Sequence, residues 1–94
     1  METQILQKEE LVGMKFTSRD VINDLSQKKI LMSELLRAQT LGNIEKIKVR
    51  IVFHLEKGSR GEVETTVWAV GENHLILKRG IHIPIRAIES ISYI

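Results

Sequence analysis

Three kinds of side chain in this sequence could do chemistry. Lys78 and Arg79 are adjacent, and Arg86 follows a few positions on. Guanidinium groups pair with phosphate in a two-pronged fashion and ammonium groups act as point charges, so this cluster is suited to contacting phosphate. Lys46, Lys48 and Arg50 alternate along the chain and share one face of any extended segment, with Lys57 and Arg60 beyond them. Together they offer a cationic surface for nucleic acid or an acidic partner. Trp68 adds an indole able to stack a base or anchor a partner protein. His54, His74 and His82 are zinc ligands by type, but no short fixed spacing joins them.

Each group also has a plainer reading. Charges on turns are solvated, and Glu62 and Glu64 stand where they would pair with the cations of the preceding strand. A helix that must bury apolar residues could cover Trp68. In a hairpin turning at Arg79-Gly80, His82 would face Leu77 and His74 would face Ile85, so no metal site is expected. The chain has no cysteine, which removes thiolate ligands and a cysteine nucleophile. Gly58-Ser59-Arg60-Gly61 lacks the Lys-Ser/Thr and the helix that make a phosphate loop. The expectation is no catalytic residue, no cofactor and no enzyme.

These residues must be positioned by 94 amino acids, enough for one core. Composition changes at Gly42-Asn43, dividing a helical segment at 1–43 from a β-rich segment at 44–94 within one compact domain. Residues 1–43 carry six basic and six acidic side chains, and residues 44–94 carry eight and six, which supplies the whole net charge of +2. So small an excess argues against a strongly cationic protein. The N-terminus has no basic stretch leading into an apolar run, and nothing approaches the length of a membrane span, so a cytoplasmic protein without membrane contact is expected.

Ile5, Leu6, Leu11 and Val12 suggest a short helix within residues 1–12, interrupted at Gly13. Thr17 or Ser18 is a suitable N-cap, with Asp20 placed for the helix dipole. Val21, Ile22, Leu25, Met32, Leu35 and Leu36 then recur at helical spacing, predicting a helix within 18–40 that Gly42 and Asn43 end. Beyond this the period becomes two. Ile47, Val49, Ile51, Phe53 and Leu55 alternate with polar neighbours, predicting a long strand over 46–56. Further strands are predicted over 62–70, 74–78, 81–85 and 89–93. An open sheet of five such strands would leave two bare edges, and bending it closed removes most of them. The reading is α+β and mainly β: an N-terminal helix followed by a strongly bent five-stranded antiparallel small barrel. Ile47, Val49, Ile51, Phe53, Val63, Val67, Leu75, Leu77, Ile83 and Ile91 should form most of its core.

Residues 46–94 resemble the Sm-like barrels, the superfamily of Sm/Lsm proteins and bacterial Hfq. The resemblance lies in the long first strand, in Asn73-His74-Leu75-Ile76-Leu77 as the apolar end of the first motif, and in Ile83 to Ile91 as the second motif, a strand, a one-turn corner and a strand. It implies a ring of identical subunits closed by strand pairing, with Lys78, Arg79 and Arg86 meeting RNA. Val70-Gly71-Glu72-Asn73-His74 replaces the family's Asp-x-x-Met-Asn run, and Ala87 replaces the usual glycine. Two readings therefore stand side by side. One is a self-associating, RNA-binding module using Lys78, Arg79, Arg86, Trp68, Lys48 and Arg50. The other is a protein-interaction or structural module, a homo-oligomer with no nucleic acid bound.

Overall fold

The computed structural model describes residues 3–94. It contains a single α-helix, α1 (Leu25–Glu45), and seven strands: β1 (Thr3–Leu6), β2 (Val49–His54), β3 (Arg60–Thr65), β4 (Val67–Val70), β5 (His74–Leu77), β6 (His82–Pro84) and β7 (Ile88–Tyr93). The strands form a four-stranded sheet in the order β1-β3-β2-β7 and a three-stranded sheet in the order β4-β5-β6. The fold is α+β and mainly β. No described helix is long and apolar enough to cross a membrane.

The alternation after Gly42 has its expected result. Val49, Ile51 and Phe53 are fully buried while Arg50 between them is exposed. Of the ten residues expected in the core, nine are buried and Ile47 is half-buried. The strand expected over 62–70 is divided at Thr66, with β3 in one sheet and β4 in the other. A bulge follows, because Val67 pairs with Leu77 and Ala69 with Ile76, which leaves Trp68 as the extra residue.

The N-terminal half departs from expectation. Residues 3–6 are a strand, not a helix, pairing in parallel with β3 from Thr3↔Arg60 to Leu6↔Val63. A 3-10 turn follows at Lys8–Leu11. Residues 1 and 2 of the expected helix lie outside the described residues. Leu6 and Leu11 are both buried, and docking these two side chains overrides a weak local helical pattern.

The main helix starts later than Thr17 or Ser18 would have it. Asp24 is the N-cap, its carboxylate accepting from the Ser26 amide at 3.3 Å. Residues 17–23 instead form a strap tied to the sheets: the Thr17 amide donates to the His54 carbonyl at 3.1 Å and the Val21 amide to the Arg86 carbonyl at 2.9 Å. The helix also runs through Gly42 and Asn43, ending on Lys46 in the left-handed conformation (φ 56°). Its buried stripe is Leu31, Leu35, Ala38 and Gly42, while Leu25 and Leu36 face outward. This stripe suits a tight approach to β4, since small residues let the helix backbone come close.

Candidate functional site

Arg86 lies in a short 3-10 corner, Ile85–Ala87, between β6 and β7. Ala87 is fully buried and anchors the corner. The Ile85 amide donates to the Asn73 carbonyl at 2.9 Å, joining the corner to the turn before β5. The Arg86 Nε donates to the Thr17 carbonyl at 3.0 Å. Strap, corner and helix start thus enclose a cleft of about 330 Å³. Ile22, Leu31, Met32, Ile85 and Ile88 give it apolar walls, and Asp20, Lys28, Glu72, Asn73 and Arg86 line its polar part. Asp20 and Lys28 are paired across it at 3.5 Å. Such a cleft can hold a small group with an apolar body and a polar edge.

The basic cluster read from the sequence is not one site. Lys78 shares a separate cleft of about 220 Å³ with Lys48 and with Lys8, which the sequence did not single out. Glu9, Glu64 and Thr66 also line it. Among the described residues none of these three lysines forms an ion pair. Arg79 lies in neither cleft. It occupies the exposed turn before β6 with φ 73°, unusual for a side-chain-bearing residue, and Gly80 follows at φ 77°.

Arg50 is engaged. Its Nη2 lies 2.7 Å from Glu64 Oε2 and its Nε 3.3 Å from Glu62 Oε2. The Glu64 hydrogen bond, with the field of Glu62 and Glu64, raises its already high pKa. The β2–β3 register places Arg50 opposite Glu64, the cross-strand pairing that alternation anticipates. Trp68 is 52% exposed. The helix reaches its backbone, through Asn43 Nδ2 donating to the Trp68 carbonyl at 3.3 Å, and leaves the residue about half exposed.

The structure forms two histidine clusters not expected from the sequence. His54 Nε2 lies 2.7 Å from Glu89 Oε1, and Arg60 Nη1 lies 3.4 Å from both Glu89 oxygens. The hydrogen bond with His54, then Arg60, holds the Glu89 carboxyl below its ordinary pKa against the opposing effect of burial. His54 and Arg60 are register partners across the β2–β3 hairpin, a signal the sequence does carry. Glu89 joins them only because β7 lies on the other side of β2. A cleft of about 530 Å³ opens beside His54, lined by the strap from Thr17 to Val21 and by Asn23.

His74 and His82 are neighbours after all, with ring centroids 5.9 Å apart and planes at 56°. The Leu77 amide donates to the Ile81 carbonyl at 2.7 Å, so the turn is tighter than expected. The register becomes Ile76↔His82 and His74↔Pro84, and the two imidazoles meet on the diagonal. No group of three or more His, Cys, Asp or Glu able to hold a metal exists among the described residues.

No family model, curated protein or solved structure matches this chain.

Proposed function

We propose that the chain is a non-enzymatic small-barrel module that self-associates through its strand edges and contacts RNA in an Sm-like manner. In this reading β2, β3 running past Thr66 into β4, β5, β6 and β7 are the five strands of the barrel, and β1 is an addition to its edge. The observation that carries the proposal is the corner at Ile85–Ala87. It separates β6 from β7, which are outer strands of different sheets, each with one edge unpaired among the described residues. Unpaired strand edges are templates for another chain. Joining β6 of one copy to β7 of the next would satisfy both rows of backbone groups, while Pro84 limits the donors β6 can offer. The strand, one-turn corner and strand over 82–93 agree with the resemblance.

The RNA reading is supported by Lys8, Lys48 and Lys78 around one cleft, which form no ion pair among the described residues, and by Arg86, whose Nε donates to Thr17. A second reading, a protein-interaction or structural module without nucleic acid, is favoured by one observation: Arg50 is neutralised by Glu62 and Glu64.

Light scattering across a micromolar concentration range tests self-association, with a mass that is a multiple of 10.8 kDa expected. A 10.8 kDa species that persists as concentration rises overturns it. Titration with a labelled single-stranded RNA tests the rest. Binding should weaken with salt and be lost when Lys48 and Lys78 are both changed to Glu. Absence of binding leaves the protein-interaction reading, and binding indifferent to that double change overturns the lysine cleft as the RNA contact.

A further inference from the structure

We infer that His74 and His82 form a two-imidazole site for a divalent late transition metal. Neither ring takes part in a hydrogen bond or ion pair among the described residues, unlike His54, which Glu89 holds. Both side chains are exposed, so a metal and its waters can reach them.

The separation of the two rings is close to that in a chelate. Metal–nitrogen bonds of about 2.0–2.1 Å at tetrahedral angles place two ligating imidazole rings with centroids roughly 5 Å apart. The observed 5.9 Å is within the reach of small χ adjustments by exposed side chains. The backbone beneath is fixed at both ends of the hairpin. The Leu77 amide donates to the Ile81 carbonyl at 2.7 Å, and the Ile85 amide to the Asn73 carbonyl at 2.9 Å. Holding ligands on a pinned hairpin lowers the ordering entropy that binding would otherwise cost.

Two imidazoles, with no third ligating side chain grouped with them among the described residues, define the metal class. Nitrogen ligands suit zinc, copper and nickel, whereas magnesium and calcium prefer oxygen. One chain fills two coordination positions and water the remainder, so one metal per chain follows. The site is independent of the RNA reading, whose lysine cleft contains neither histidine.

Titration calorimetry with zinc, and separately with nickel, tests the site, with magnesium as the control. Saturable binding at one zinc or nickel per chain is expected, with none for magnesium. His74→Phe and His82→Phe keep a ring and remove the nitrogens. Losing an outer hydrogen-bond partner of a ligand already costs about 10–100-fold, so losing the ligand should weaken binding at least about tenfold. His54→Gln should leave it unchanged. In the unsubstituted protein, zinc should shift the ring-proton resonances of His74 and His82 and spare those of His54, a result that does not depend on how any variant folds. The inference is overturned by absence of saturable binding, by full affinity in either Phe variant, or by resonance shifts confined to His54.

Discussion

A side chain at Gly42 has no room, because a Cβ there would stand 2.5 Å from the carbonyl oxygen of Val67 and 3.0 Å from the Thr66 methyl group. The contact lies where the helix crosses the point at which the chain passes from one sheet to the other. Helix propensity and packing therefore make opposite predictions for Gly42→Ala. Propensity alone would stabilise the protein by about 1 kcal/mol. Pushing against β4 backbone should instead destabilise it by about 1–3 kcal/mol. Urea denaturation of the variant decides between them, and a raised midpoint would show that the helix does not sit against Val67.

Lys46 ends the helix with φ 56°, a conformation that disfavours any side chain. Lys46→Gly should therefore raise stability by about 0.5–1 kcal/mol, as improvements at helix termini do. Denaturant titration checks this. An unchanged or lowered midpoint would mean that the lysine side chain offsets the backbone strain.

The first strand should belong to the core and not hang from it. Leu6 is buried at 8% exposure, with its Cδ1 only 3.1 Å from where a Cβ on Gly61 would stand. Leu6→Ala should cost about 2 kcal/mol, the low end for a buried leucine. A change within about 0.5 kcal/mol, the size of a surface substitution, would show that β1 is not docked.

Phe53 occupies the centre of the molecule, fully buried and edge-on to Phe16 at 5.4 Å between ring centroids. Phe53→Ala should cost about 3–5 kcal/mol by calorimetric or chemical unfolding. The same ring crowds Gly61, where a Cβ would lie 2.6 Å from it. Gly61→Ala should therefore also destabilise, although no polar group or charge changes.

Glu89 gives the protein a defined response to acid. Its carboxyl is held below the ordinary value of 4.5, chiefly by the hydrogen bond with His54. A depressed native pKa contributes stability above the unfolded value. That contribution declines as pH falls below about 4.5 and is gone once pH passes below the native value. Unfolding midpoints of the parent and Glu89→Gln should differ most at neutral pH and converge as the pH falls below the ordinary carboxyl value and through the depressed native one. A gap that stays constant over this range would show that the carboxylate contributes nothing through its charge.

Alternation and chain reversals were legible at once. The period-two run from Val49 to Phe53 must turn one face inward whatever packs on it, and nine of ten expected core residues are buried. The pairing of Arg50 with Glu64 follows from the same alternation once the hairpin is recognised. Hairpin register was harder. A turn one residue tighter than expected moved His82 from Leu77 to Ile76 and brought it to His74. Because side chains alternate, a shift of one residue changes which groups meet.

The sequence by itself determined the elements whose residues satisfy local requirements: a helix before Lys46, the β-rich second half, and most of the buried face. Tertiary structure alone decided where long-range partners replace local ones. Residues 3–6 became a strand because β3 offered an edge and Leu6 could be buried beside Gly61. The strap at 17–23 stayed out of the helix because its amides reach His54 and Arg86. Gly42 continued the helix because β4 required a close backbone approach. The basic residues separated into two clefts because Lys78 and Arg86 lie on corners at opposite ends of β6. In each case the deciding contact joins residues far apart in the chain, and no local pattern encodes its energy.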